Sequence, residues 1–272
     1  MVLNFHFTHK EKTNRAILLF HGMTGSPYEL KKFGQFLYKE GFDVFADCIP
    51  GHGKDFQNIL KVTYKDWEFF ANKSFETLAL RYDKVYVGGL CLGALLALSV
   101  AEKYPQVVNG ILSLSTTLYL DGSRMPWYKC LLPIGLFTIT RFFYTYPEGE
   151  PYGIKNEKTR HLIKKLLEQN NVGMDNYPMS CIYELCRLSK RVQNDLKKVT
   201  APILIIHSIQ DDLTSTKSAY KVFRGISSDN KKLVLLKDSY HMILYDNDRD
   251  YVFDLCKTFL FENLNDTKRS IC

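Results

Sequence analysis

The sequence of 272 residues predicts an α/β fold, a mostly parallel sheet flanked by helices and interrupted by a helical cap insertion. Three observations predict it. From about residue 15, short continuous apolar runs alternate with helix-length amphipathic stretches, as expected for strands buried on both faces and joined by crossover helices. Several of those runs end in loops carrying Gly, His, Asp or Cys, at the sheet edge where open α/β folds collect their ligands. The alternation lapses near residue 117 and resumes near 199, which divides the chain into a core of 1–116 and 199–272 and a helical lid of 117–198. With 46% hydrophobic and 24% charged residues, the chain has enough apolar material for one large core.

The elements follow in order. AILLF at 16–20 reads as a central parallel strand, and the glycine-rich stretch 21–26 as the turn after it. Residues 27–39 place Leu30, Phe33, Phe36 and Leu37 on one helical face. A strand at 43–46 precedes the break at Pro50, Gly51, His52 and Gly53. Thr63 is placed to cap a helix running to Leu80, with Asp66 three residues on completing a capping box. The apolar run at 84–87 suits a buried strand, 94–101 a buried helix and 110–115 a further strand. After the lid, 202–206 and 233–236 are strands and 251–261 the closing helix.

Residues 88–93 read GGLCLG, so Gly89 and Gly93 flank Cys91. Glycines at those two places leave room for a tight, strained turn between strand and helix. Such a turn lifts its central side chain above the sheet edge and aims the next helix N-terminus at it. A nucleophile needs a base, and the base needs an orienting group. Two later strand-end loops supply candidates: Asp211 and Asp212 after the strand at 202–206, and His241 after the strand at 233–236. Asp211 is the first choice for the orienter, which leaves Asp212 to cap a helix or turn.

Taken together, His21-Gly22-Met23-Thr24-Gly25-Ser26, Gly51-His52-Gly53, Asp66-Trp67, Gly89-Leu90-Cys91-Leu92-Gly93, Asp211 and His241 run in one order over nearly the whole chain. In this the chain resembles the α/β-hydrolase superfamily, near the bacterial carboxylesterases and monoacylglycerol lipases. The superfamily's elbow is Gly-x-Ser-x-Gly; here Cys91 stands where the nucleophilic serine would be. Cysteine elbows also mark dienelactone hydrolases and polyhydroxyalkanoate synthases, neither of which this chain obviously is. The resemblance implies an α/β-hydrolase fold and assigns roles. Cys91 would attack an acyl carbonyl, His241 would act as general base and acid, and Asp211 would orient His241. The backbone N–H groups of Met23 and Leu92 would form the oxyanion hole.

A thiolate is both a good nucleophile and a good leaving group, so it suits thioesters and activated esters better than plain oxygen esters. The expected activity is acyl-processing hydrolysis of carboxylic esters or thioesters with an apolar acyl chain, through an acyl-Cys91 intermediate. Two alternatives stand beside it: an acyltransferase passing the group to an amine, alcohol or thiol, and a non-catalytic binder of hydrophobic ligands. Within the lid, Trp127, Leu131, Leu136 and Phe137 read either as packing of lid on core or as the wall of an apolar acyl tunnel or lipid-facing lid.

The net charge of +7 is spread over scattered lysines and reads first as a solvated surface, second as attraction to acidic lipid or an anionic acyl carrier. No nucleic-acid motif accompanies it. Cysteines 48, 91, 130, 181, 186, 256 and 272 are odd in number and irregularly spaced, and residues 1–12 lack an apolar signal core. Both features point to reduced thiols in the cytoplasm. Cys181 and Cys186 read as helix-face residues. His6, His9, His161 and His207 show no ligand spacing, so neither metal nor other cofactor is expected. His21 and His52, in glycine turns, read as structural. No run reaches the roughly 18 apolar residues of a membrane span.

Overall fold

The computed structural model describes residues 4–11, 13–23, 25–53, 56–124, 138, 141, 144–147, 149–170 and 176–264. Its strands are β1 (Phe5–Phe7), β2 (Arg15–Phe20), β3 (Asp43–Ala46), β4 (Lys84–Leu90), β5 (Val108–Leu114), β6 (Thr145–Pro147), β7 (Asn176–Pro178), β8 (Ile203–Ser208) and β9 (Lys231–Leu236). Seven of them form one sheet in the order β1-β3-β2-β4-β5-β8-β9, parallel except for β1 at the edge. The chain winds outward from β2 to β3, then restarts on the other side of β2 with β4. Its switch point therefore lies between the C-terminal ends of β2 and β4, where an open α/β sheet leaves a crevice.

The helices are α1 (Lys31–Lys39), α2 (Phe56–Ile59), α3 (Tyr64–Ala79), α4 (Leu92–Lys103), α5 (Glu157–Asn170), α6 (Met179–Asp195), α7 (Lys217–Gly225) and α8 (Arg249–Glu262). Strand residues sort onto the two faces with period two. Ala16, Leu18 and Phe20 join Val87, Ile203 and Ile205 under α3, α4, α6 and α7. Ile17 and Leu19 join Tyr86, Leu112 and Leu204 under α1 and α8. Helix α4 lies between the sheet and α3 and α6, which explains why it is buried from Leu92 to Glu102 rather than along one stripe.

The predicted elements recur with additions and adjustments, among them the short helix α2 and strands β6 and β7. The stretch after the first turn begins as a 3-10 turn, Pro27–Leu30, before α1 starts at Lys31. Strand β1 was too short a run to stand out; its pairing with β3 makes it a strand. Helix α7 is a further addition and buries only Ser218, Ala219 and Val222. The capping box of α3 forms as expected, with Thr63 N–H donating to Asp66 Oδ2 at 2.8 Å. Between β5 and β8 lie the two-stranded ladder of β6 and β7 and helices α5 and α6. Leu185, Leu188 and Val192 of α6 pack into the same cluster as α3 and α4. Among the described residues no helix is long and apolar enough to cross a membrane.

Between β4 and α4 the chain makes a turn in which Cys91 has φ +58° and ψ −113°. A non-glycine residue held there costs on the order of 1–3 kcal/mol and persists only when its surroundings fix it. They do: Cys91 N–H donates to Leu114 O at 3.0 Å and Ala94 N–H to Cys91 O at 3.2 Å. The flanking glycines are required by close backbone approach. A Cβ on Gly89 would come within 2.7 Å of Phe20 O as well as striking Gly93, and one on Gly93 would be driven into Phe20 O and lie 2.8 Å from His21 O. Because backbone rather than a flexible side chain is struck, Gly93→Ala should destabilise the protein by about 3 kcal/mol or more. Thermal unfolding should show a drop of at least about 6 °C; an unchanged midpoint would contradict this packing.

Candidate active site

Cys91 stands at the switch point, 5% exposed, above the end of β4 and at the N-terminus of α4. The end of β5 braces it. Leu114 O accepts the Cys91 N–H, and Thr117 Oγ1 lies 3.3 Å from Cys91 Sγ. Ser115, with φ +44°, turns the chain there and donates its Oγ to His241 O at 2.8 Å.

His241 and Asp211 come together from the loops after β9 and β8. His241 Nδ1 is 2.8 Å from Asp211 Oδ2, with the histidine 5% exposed and the aspartate's side chain fully buried. Asp211 Oδ1 accepts the N–H groups of Leu213 and Thr214, both at 2.9 Å, so the carboxylate cannot swing away without breaking three contacts. With a carboxylate as its partner, His241 Nδ1 carries the proton and Nε2 is left free. That Nε2 is buried without a hydrogen-bond partner among the described residues. It lies beside the Cys91 sulfur, close enough for each group to shift the other's proton equilibrium.

The hydrogen bond to His241 is made by Asp211 and not by its neighbour Asp212. Asp212 is not a cap: both its carboxylate oxygens are buried without a hydrogen-bond partner among the described residues. Burial pushes its pKa up. In this loop it is Asp211, not Asp212, that takes the N–H groups of Leu213 and Thr214.

Electrostatics couple the three groups. Burial alone would raise the Cys91 thiol, but the neighbouring His241 charge, the Thr117 hydroxyl and the Met23 backbone N–H outweigh it, so the pKa falls. Burial alone would lower His241, but Asp211 and Cys91 outweigh it and hold the imidazole well above its usual range. Asp211 is likewise lowered: burial opposes ionisation, and the His241 charge and hydrogen bond prevail. Each of these directions favours the charged form of its group.

Met23 N–H points at the Cys91 sulfur, and Leu92 is the first residue of α4, where a helix leaves N–H groups unpaired. The loop carrying Met23 is shaped from beneath. His21 Nε2 accepts the Ile49 N–H at 3.0 Å, which leaves Nδ1 to donate to Gly22 O at 2.9 Å. Burial, then the neighbouring His52, keeps His21 neutral by pushing its pKa well below the usual value. Glu29 accepts the Gly22 N–H from the other side. His21 and His52 thus serve as structural groups, in edge-to-face contact at 5.1 Å.

Several contributors carry no local signal in the sequence. His207 sits under the aspartate, its Nε2 3.0 Å from Thr214 O and 3.6 Å from Asp211 Oδ2. Gly153, at φ +68°, lies so close to His241 that an added Cβ would come within 3.1 Å of the histidine Cβ. Asp246 accepts the N–H groups of Lys155, Asn156 and Tyr240 at 2.7–2.8 Å, tying the segment around Gly153 to the His241 loop. Only the polar run Ser115-Thr116-Thr117 directly after a strand could have been noticed in advance. Cys181 and Cys186 lie on α6 as expected, and Cys48, Cys91, Cys181, Cys186 and Cys256 are unbridged. Among the described residues no group of three His, Cys, Asp or Glu side chains is placed to hold a metal ion. Trp127, Leu131, Leu136 and Phe137 lie outside the described residues.

Comparison with known proteins agrees with this architecture. A model of the serine aminopeptidase, S33 family matches residues 11–248. The chain is 25% identical over 247 residues to a thermostable monoacylglycerol lipase of Bacillus sp. (strain H-257), covering 88% of this chain and 87% of that one. It is 22% identical over 248 residues to a carboxylesterase of Bacillus subtilis, covering 91% and 92%. Among solved structures, the monoacylglycerol lipase of Paleococcus ferrophilus superposes with a TM-score of 0.78 at 18% identity, over 97% of this chain and 99% of the other. With the sheet order, the elbow and the family match in agreement, the chain belongs to the serine aminopeptidase S33 family of α/β-hydrolases.

Proposed function

We propose that the protein is an acyl-processing hydrolase acting on carboxylic esters or thioesters with an apolar acyl chain, through a covalent acyl-Cys91 intermediate. One observation carries the reading: Cys91, His241 and Asp211 form a buried line at the switch point with the Met23 N–H aimed at the sulfur. Relatives described as a monoacylglycerol lipase and a carboxylesterase support an ester-type substrate. Segment 117–198 is read as the lid over a core of 1–116 and 199–272, with Trp127, Leu131, Leu136 and Phe137 as its acyl-facing residues.

The Cys91 sulfur uses a lone pair to bond the carbonyl carbon, and the carbonyl π pair moves onto oxygen. Met23 and Leu92 N–H groups receive that oxyanion, a contribution typically worth about a hundred- to a thousand-fold per donor. The oxyanion re-forms the carbonyl and expels the alcohol or thiol, which takes a proton from the His241 imidazolium. Water then attacks the thioester, gives a proton to His241 and displaces the Cys91 thiolate. Asp211 holds His241 in one tautomer and stabilises its cation throughout.

Sulfur decides where this cycle runs well. When the tetrahedral intermediate collapses, a thiolate leaves more readily than an alkoxide, so plain alkyl esters revert while thioesters and activated esters go forward. The acyl-Cys91 thioester is also open to attack by amines, alcohols or thiols. Acyl transfer is the second reading, and the cysteine at the elbow is the observation that favours it. Small acyl compounds are the proposed substrates, with an acyl carrier as one donor, in the cytoplasm.

Two measurements test the proposal. Intact-mass spectrometry after mixing with matched acyl esters and thioesters should show one acyl adduct, larger with thioesters, absent in Cys91→Ala. Adduct decay in water against added amine, alcohol or thiol separates hydrolysis from transfer, and no adduct on any substrate would overturn the covalent mechanism. Because the Cys91 pKa is depressed, its alkylation by iodoacetamide should stay fast below the ordinary thiol range and slow only as acid protonates the sulfur. In His241→Ala the profile should move upward and turnover should fall by about 10² to 10⁴; an unmoved profile would mean that His241 does not act on the sulfur.

A further inference from the structure

One buried hydroxyl touches the sulfur. Thr117 Oγ1 lies 3.3 Å from Cys91 Sγ and 3.2 Å from Ser115 O, and Thr117 is 1% exposed. A threonine hydroxyl has one proton, so these two acceptors compete for it. Their relative strength follows the charge on sulfur. A thiolate is a strong acceptor, because hydrogen bonds to ionised groups are roughly twice as strong as neutral ones. A thioester sulfur is a weak acceptor, and a peptide carbonyl lies between. Thr117 is held where this competition is possible by the turn at Ser115, whose own hydroxyl is engaged by His241 O. Within residues 114–117 the end of β5 therefore meets the Cys91 backbone, the Cys91 sulfur and the His241 loop.

We propose that Thr117 is a catalytic residue: its hydroxyl donates to the Cys91 sulfur whenever that sulfur is charged and turns to Ser115 O while it is acylated. The proposal rests on Cys91 being the nucleophile. In the resting enzyme the hydrogen bond steadies the thiolate beside His241. During acylation the sulfur pair becomes the S–C bond and the hydroxyl swings to the carbonyl. During deacylation, water bonds the acyl carbon and passes a proton to His241. The C–S bond breaks with its pair returning to sulfur, and Thr117 donates to that departing charge. It thus does for the sulfur what the Met23 and Leu92 N–H groups do for the carbonyl oxygen, and it favours thiolate as leaving group in either direction. Valine would fill the same space without the proton.

The test is the pH profile of Cys91 alkylation by iodoacetamide, followed by peptide mass, in wild type, Thr117→Val and Thr117→Ser, with thermal unfolding of each. Thr117→Val should raise the inflection by about half to one pH unit, and Thr117→Ser should restore it. Acyl-enzyme decay should slow in Thr117→Val and recover in Thr117→Ser. If valine lowers the unfolding midpoint enough to cloud the profile, Thr117→Ala is read the same way. An inflection and decay rate unchanged in folded Thr117→Val overturns the role of Thr117 while leaving Cys91 as nucleophile. Full activity in Cys91→Ala overturns the nucleophile, and Thr117 with it.

Discussion

The first turn of α4 presses so closely on the end of β2 that only hydrogen atoms fit between Gly93 and the carbonyl of Phe20, and most of the site follows from that approach. Bringing α4 this near sets its unpaired N–H groups beside the loop that carries Met23. It also forces the link from β4 into a left-handed turn at Cys91. The turn is unfavourable by itself. It is held by an α4 buried on all sides and by the Cys91 N–H bond to Leu114 O. Core burial thus maintains backbone strain at the position where a projecting side chain is needed.

From the elbow the arrangement spreads along the C-terminal edge of the sheet. Strands β5, β8 and β9 each end in a loop that contributes one part, and the loops are fastened to one another. Ser115 holds the backbone of His241, Asp211 holds its ring, and His207 lies under Asp211. Asp246 fastens the segment around Gly153 against the far side. Alone, each neutral bond contributes about 1 kcal/mol net and each bond to the Asp211 or Asp246 carboxylate about 1.5–3 kcal/mol. In a buried setting they leave His241 a single orientation, with Nε2 toward the sulfur.

Sulfur gives this familiar scaffold a different balance. Burial works against charge on both Cys91 and His241, and each group's charge offsets the penalty on the other. The two shifts are therefore a joint property, supported by Asp211 behind the ring and, as proposed, by Thr117 beside the sulfur. A serine at the elbow would rest neutral and need its proton removed during attack. A cysteine whose pKa is lowered gives up its proton more readily, so under the proposed mechanism the protein's task shifts towards stabilising sulfur as it leaves and returns.

The sequence by itself determined the sheet, because buried parallel strands must be continuous apolar runs and their connections must be helix-length. It also determined the elbow, since two glycines around one reactive residue have few other uses between a strand and a helix. That Cys91, Asp211 and His241 would meet at one edge of the sheet was legible for the same reason: each follows an apolar run that ends there. Only the tertiary structure shows which of the adjacent Asp211 and Asp212 pairs with His241, because only the folded loop distributes the N–H groups of Leu213 and Thr214. It alone brought Thr117, Ser115, His207, Gly153 and Asp246 to the site, and it alone paired β1 with β3. Their roles come from contacts between residues far apart in the chain, and such contacts leave no periodicity or spacing for a linear reading to find.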